Sequence, residues 1–119
     1  MFSPALVAAS LQPIVLSILE GGEAYGYDIM RHVDDLSGGR MQWTAGTLYP
    51  LMHRLESKGL IQAIWRPSDS GPRRKYYRIT PKGSEMLASE QRQWLDLHAM
   101  LMKLWGDKLG DQMSLSPAI

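Results

Sequence analysis

The chain has 119 residues and a hydrophobic fraction of 45%, enough for one packed domain with a short appendage, so disorder is not the default. It contains no cysteine, which excludes disulfides, thiolate metal sites and cysteine nucleophiles together. The net charge of +1 hides an asymmetry: residues 40–82 hold nine Lys and Arg but only Glu56 and Asp69 as acids, a local +7 against −6 elsewhere.

The N-terminal Met1-Phe2-Ser3-Pro4 has no basic run ahead of an apolar stretch, so no secretory signal is expected. No apolar run reaches bilayer-spanning length, and a soluble, cytoplasmic protein is expected. Within the apolar stretch 6–19, Leu11, Ile14, Val15, Ile18 and Leu19 follow helical spacing. Pro13 allows two arrangements: a helix starting near Ser10 as N-cap behind a separate short segment, or one longer helix kinked at the proline. Gly21-Gly22 ends it. A second helix is expected over about 25–36, with Tyr25, Ile29, Val33 and Leu36 on one face and Ser37-Gly38-Gly39 as its stop. A third starts at Thr44, a good N-cap, and runs to about residue 58, with Leu48, Leu51, Met52 and Leu55 as its buried stripe and Gly59 beyond it.

Residues 60–66 and 73–79 are β-prone and flank a Pro/Ser/Gly loop at 67–72, which predicts a hairpin. Thr80-Pro81 then opens a last helix to about residue 105, with threonine as N-cap and proline in the first position. In that helix Leu87, Trp94, Leu97, Leu101 and Leu104 fall close to a seven-residue repeat broken at Glu90. The expected fold is mainly α with a small β-hairpin wing. It comprises a winged helix-turn-helix over 1–80, a long C-terminal helix over 81–106 and a flexible tail over 107–119.

Two segments carry the chemistry. The third helix begins Thr44-Ala45-Gly46-Thr47-Leu48-Tyr49: small residues permit close approach to a major groove, three hydroxyls suit phosphates or base edges, and His53 and Arg54 follow a turn later. Taken alone, it reads first as an ordinary amphipathic helix with a capping threonine. The hairpin run Arg73-Arg74-Lys75-Tyr76-Tyr77-Arg78 alternates faces, with Arg74, Tyr76 and Arg78 on one side, Arg73, Lys75 and Tyr77 on the other, and one tyrosine on the core. A basic hairpin suits phosphate or minor-groove contacts; its plainer role is an edge protected by charge. With the helix directly before it, duplex DNA is the favoured partner.

Catalysis is not expected. His32, His53 and His98 are scattered with no metal-ligand spacing, and Asp96 and His98, two apart, point to different helix faces. There is no phosphate-binding Gly-Lys-Ser/Thr loop and no serine elbow, so no catalytic residue, metal site or cofactor is expected. A membrane-surface role lacks a basic amphipathic helix.

Several runs resemble the PadR family of transcriptional regulators. They are Tyr25-Gly26-Tyr27-Asp28-Ile29, Gly46-Thr47-Leu48-Tyr49-Pro50-Leu51 with Arg54-Leu55-Glu56, and Lys58-Gly59-Leu60-Ile61. The likeness continues through Arg73-Arg74-Lys75-Tyr76-Tyr77-Arg78-Ile79-Thr80 and Lys82-Gly83, in order and spacing over residues 11–83. The resemblance implies a homodimeric, DNA-binding repressor of the small subgroup with one helix after the wing. It implies that Thr44, Thr47 and Tyr49 enter the major groove, that Arg73, Arg74 and Lys75 form the wing, and that Tyr25 and Tyr27 sit near the DNA backbone, Tyr27 being equally a core candidate. It assigns dimer contacts to the last helix, where Trp94, Leu97, Leu101 and Leu104 need a partner, and places Trp94 where it either stacks on a small aromatic effector or fills the interface. The alternative is a winged-helix module for protein contacts without sequence-specific DNA binding, against which the cationic wing argues.

Overall fold

The computed structural model describes residues 1–114, with side chains through residue 106. Helix α1 spans Pro4–Glu20. Ser3 caps it, its hydroxyl accepting the Leu6 N–H at 3.3 Å, and Pro4 occupies the first turn, where a missing N–H costs nothing. The longer of the two arrangements therefore holds, with Pro13 inside the helix; Ser10 donates its hydroxyl to the Val7 carbonyl instead of capping. Val15, Leu16 and Leu19 bury this helix's inner face.

A two-residue strand, β1 (Ala24–Tyr25), precedes α2 (Gly26–Ser37), where the sequence predicts only helix. Tyr25 closes the strand and stands in extended conformation at the N-cap of α2. The following turn is pinned by Ser37, whose hydroxyl accepts the Met41 N–H at 2.9 Å, and it delivers buried Met41 and Trp43 to the core. Helix α3 (Ala45–Ser57) buries Leu48, Leu51, Met52 and Leu55. Burying each such leucine contributes roughly 1.5–3 kcal/mol, which ties the orientation of α3 to this one stripe. At its end Gly59 takes a left-handed φ of 74°, and the Leu60 and Gly59 N–H groups donate to the Leu55 and Glu56 carbonyls. That glycine-terminated pattern turns the chain into the sheet.

Strands β2 (Ile61–Ser68) and β3 (Gly71–Ile79) form an antiparallel hairpin, and β1 adds to the other side of β3, giving the order β1-β3-β2. The expected six-residue loop at 67–72 is shorter: pairing continues past a register shift between Arg66 and Ser68 and leaves only Asp69-Ser70 as the turn. Pro67, which lacks an N–H, sits at that irregularity, and the Ser68 hydroxyl donates to the Pro72 carbonyl at 2.8 Å.

Helix α4 runs Pro81–Ser114, beyond the expected end near residue 105. Of the tail expected at 107–119, residues through Ser114 are helical, and 115–119 lie outside the described residues. Thr80 caps α4, accepting the Gly83 N–H at 3.0 Å while donating to the Gly59 carbonyl at 2.6 Å. By its internal contacts the chain divides into two compact units, the first running from Met1 to Ala88. The first two turns of α4 belong to the core through buried Leu87, which joins Leu16, Leu19, Ile29, Leu48, Leu60 and Tyr77. The rest of α4 forms a second unit.

Candidate nucleic-acid interface

The buried stripe of α3 leaves its opposite face in water. Gly46, Tyr49, Pro50, His53, Arg54 and Ser57 are exposed at helical spacing, and Thr47 borders them, half-buried. Thr44 stands at the N-cap, where its carbonyl accepts the Thr47 and Leu48 N–H groups at 3.0 and 2.9 Å. Its hydroxyl makes no capping bond and remains available to a ligand. Tyr49 is 46% exposed, yet it does not project freely. Its phenol lies against Gly26, where an added Cβ would stand 2.5 Å from the hydroxyl oxygen.

Register fixes which side each hairpin residue takes. Ile61↔Ile79, Ala63↔Tyr77 and Trp65↔Lys75 pair on one face, which covers the core. Tyr77 is the tyrosine buried there, and burial raises its phenol above the usual tyrosine range, so it stays neutral. Lys75 lies 3.7 Å from Glu56 near the end of α3 and 5.4 Å from the Tyr77 ring centre, anchoring the hairpin beside that helix. Arg73 shares this side further out, and Trp65 remains 56% exposed.

On the other face lie Gln62, Ile64 and Arg66 opposite Arg78, Tyr76 and Arg74. The Arg78 guanidinium donates to the Gln62 side-chain carbonyl at 2.9 and 3.1 Å. Arg66 pairs with Glu23 at 2.5 Å, which holds the Glu23 carboxyl below the usual carboxylate range. Arg74 instead lies over the half-buried Tyr25 ring, 4.9 Å from its centre, and Tyr25 packs on Tyr76 at 5.5 Å. Tyr27, exposed and not in the core, continues the row 6.4 Å from Tyr25, with Arg31 above it at 5.9 Å.

The structure thus gathers the expected DNA-contact residues other than Tyr25, which lies in β1, on two adjoining elements. Thr44, Thr47, Tyr49, His53 and Arg54 lie on or beside the outer face of α3, and Arg73, Arg74 and Lys75 on the hairpin. Among the described residues Arg54 and Arg73 have no acidic partner. Arg66 and Arg78, not among the site residues the sequence singles out, share the Arg74 face of the hairpin through the strand register. Trp94, Leu97, Leu101 and Leu104 belong to the second unit. There every residue from 91 to 100 is exposed and Leu104 reaches 74% exposure, a large apolar surface for a single chain to leave in water. Among the described residues no group of side chains is arranged to hold a metal ion, and no helix is long and apolar enough to cross a membrane.

The family model for the transcriptional regulator PadR-like family matches residues 15–89. A PadR family transcriptional regulator from Eggerthella lenta is 39% identical, with a TM-score of 0.75 over 84% of this chain and 85% of its own. A transcriptional regulator from Clostridium thermocellum is 28% identical, with a TM-score of 0.79 over 87% of this chain and 97% of its own. A transcriptional regulator of Mycobacterium tuberculosis is 47% identical over 47 residues, which span 40% of this chain and 43% of that protein.

Proposed function

The chain belongs to the PadR-like family of transcriptional regulators, and from that premise we propose that it is a sequence-specific repressor acting on duplex DNA as a homodimer. The observation that carries this reading is the exposed, hydroxyl-bearing face of α3 beside a cationic hairpin, within a segment of +7. Thr44, Thr47 and Tyr49 meet base edges in the major groove, and His53 and Arg54 extend the contact along α3. Arg73, Arg74 and Lys75 neutralise phosphates, and Tyr25 sits near the backbone beneath Arg74. A second copy covers the stripe of Trp94, Leu97, Leu101 and Leu104, and two-fold symmetry sets the recognition helices about one DNA turn apart on a near-palindromic operator. A small aromatic effector stacks on Trp94 at that interface and releases DNA by favouring a subunit spacing the operator does not match.

The deciding experiment titrates the purified protein against the duplex upstream of its own gene and a shuffled duplex, each at two salt concentrations. Tighter, steeply salt-dependent binding to the native duplex is expected. Equal, weak binding to both would favour the protein-binding module instead. Sedimentation of the free protein tests the dimer, for which a monomer at micromolar concentration is the contrary result. Saturable indole quenching by planar dyes, lost in Trp94→Ala, tests the effector site; equal quenching in the variant removes it.

A further inference from the structure

We infer that the junction Tyr25-Gly26-Tyr27 is a positioning device that fixes the recognition helix and the wing relative to each other. This deepens the DNA-binding reading above and rests on it. Each of the three consecutive residues holds a group from a different part of the surface. Gly26 receives the Tyr49 phenol of α3, Tyr25 carries the Arg74 guanidinium of β3, and Tyr27 carries Arg31 of α2. Their Cα atoms are locked about 3.8 Å apart along the chain, so a shift at one is passed to the next.

The glycine is there for space, not for conformation. Gly26 is absent from the positive-φ glycines, and at the start of a helix alanine suits the backbone better. What excludes a methyl group is Tyr49: an added Cβ would lie 2.5 Å from the hydroxyl oxygen and 3.0 and 3.1 Å from two ring carbons. Because Tyr49 is already 46% exposed, its ring can swing into water, so the fold survives while the phenol leaves its place. Tyr25 is fixed differently, by strand pairing with Tyr76 and by contact with the Tyr76 ring. A guanidinium held over an aromatic face still has N–H groups to offer a phosphate. The device therefore sets the distance between base-reading and phosphate-binding groups.

The test uses a duplex enriched by the wild-type protein from a random-sequence library, with a shuffled duplex as control. Dissociation constants and Tm are measured for Gly26→Ala, Tyr49→Ala, the double variant, Tyr25→Phe and Tyr25→Leu. Gly26→Ala is expected to keep its Tm yet lose about fivefold or more of the enriched-to-shuffled ratio, the size of one lost base contact. Added to Tyr49→Ala it should change neither affinity, because the group it displaces is gone. Tyr25→Phe retains the ring under Arg74 and should lose less affinity than Tyr25→Leu, which should weaken both duplexes about two- to fivefold. An unchanged ratio in Gly26→Ala, or an equal loss with and without Tyr49, overturns the device. A Tm collapse that persists in the double variant overturns it too, by making Gly26 a fold residue. A wild-type protein that enriches no sequence removes the DNA-binding reading itself.

Discussion

Gly26, at the start of α2, and Gly83, in the first turn of α4, are both buried where a methyl group has no room, but what fills the space differs. At Gly83 an added Cβ would collide with the Leu60 carbonyl and stand 2.7 Å from an Ile79 side-chain carbon. Those atoms belong to a rigid joint in which Thr80 binds Gly59 and the Lys82 ammonium donates to the Lys58 carbonyl at 2.8 Å. At Gly26 the obstacle is the far end of one exposed side chain. The joint at α4 thus maintains the fold through backbone, and the junction at α2 arranges the surface through rings and guanidinia. Stability and DNA recognition should accordingly be separable by mutation.

Four substitutions break or sharpen that division. Gly83→Ala should have the largest effect, about 3 kcal/mol or more of lost stability, since a backbone carbonyl cannot step aside. Thermal melting should show it as a drop of more than about 10 °C. A melt within a few degrees of wild type would mean that α4 docks more loosely than its cap suggests. Thr80→Ala removes both the cap of α4 and the tie to Gly59 and should cost about 1–2 kcal/mol, with the DNA specificity ratio unchanged. Arg74→Ala should leave Tm in place and weaken enriched and shuffled duplexes alike by about two- to tenfold, reducing the salt slope by about one. Selective loss on one sequence would reassign Arg74 to base readout.

The smallest effect is expected at Glu23. Its carboxyl titrates below the usual range in the folded chain because of Arg66, so the pair stabilises the fold above the ordinary carboxylate pKa and loses that contribution as pH falls through the lowered value. Glu23→Gln should therefore barely change Tm at neutral pH, because both partners are exposed, and should make Tm fall slightly less between neutral and acid pH than in wild type. A steeper acid loss in the variant would contradict the pairing.

The helices were legible because their apolar spacing, caps and glycine stops agree, as at Leu48–Leu55 with Thr44 before and Gly59 after. The alternation of Arg73 to Arg78 was legible too, and it assigns Tyr77 rather than Tyr76 to the core side once pairing is known. Strand β1 was not, since two residues are too short to show a period. The extent of the hairpin was hidden because Pro67 and Gly71 signal a loop by composition, although a bulge lets pairing run past them. Tyr49 illustrates the deeper limit. Its spacing on α3 announces an exposed phenol, but only the fold shows that α2 supplies the surface it leans on.

The hairpin's irregularity has a further consequence. In the order β1-β3-β2, strand β2 is the longer of the two outer strands, and among the described residues its far edge is unpaired. A straight edge of that kind is a template for strand addition from other molecules, the first step toward aggregates. Pro67 offers no donor there, and the register shift between Arg66 and Ser68 interrupts the ladder that a new strand would have to continue. The same irregularity that accompanies the short turn thus makes this edge a poor template for strand addition.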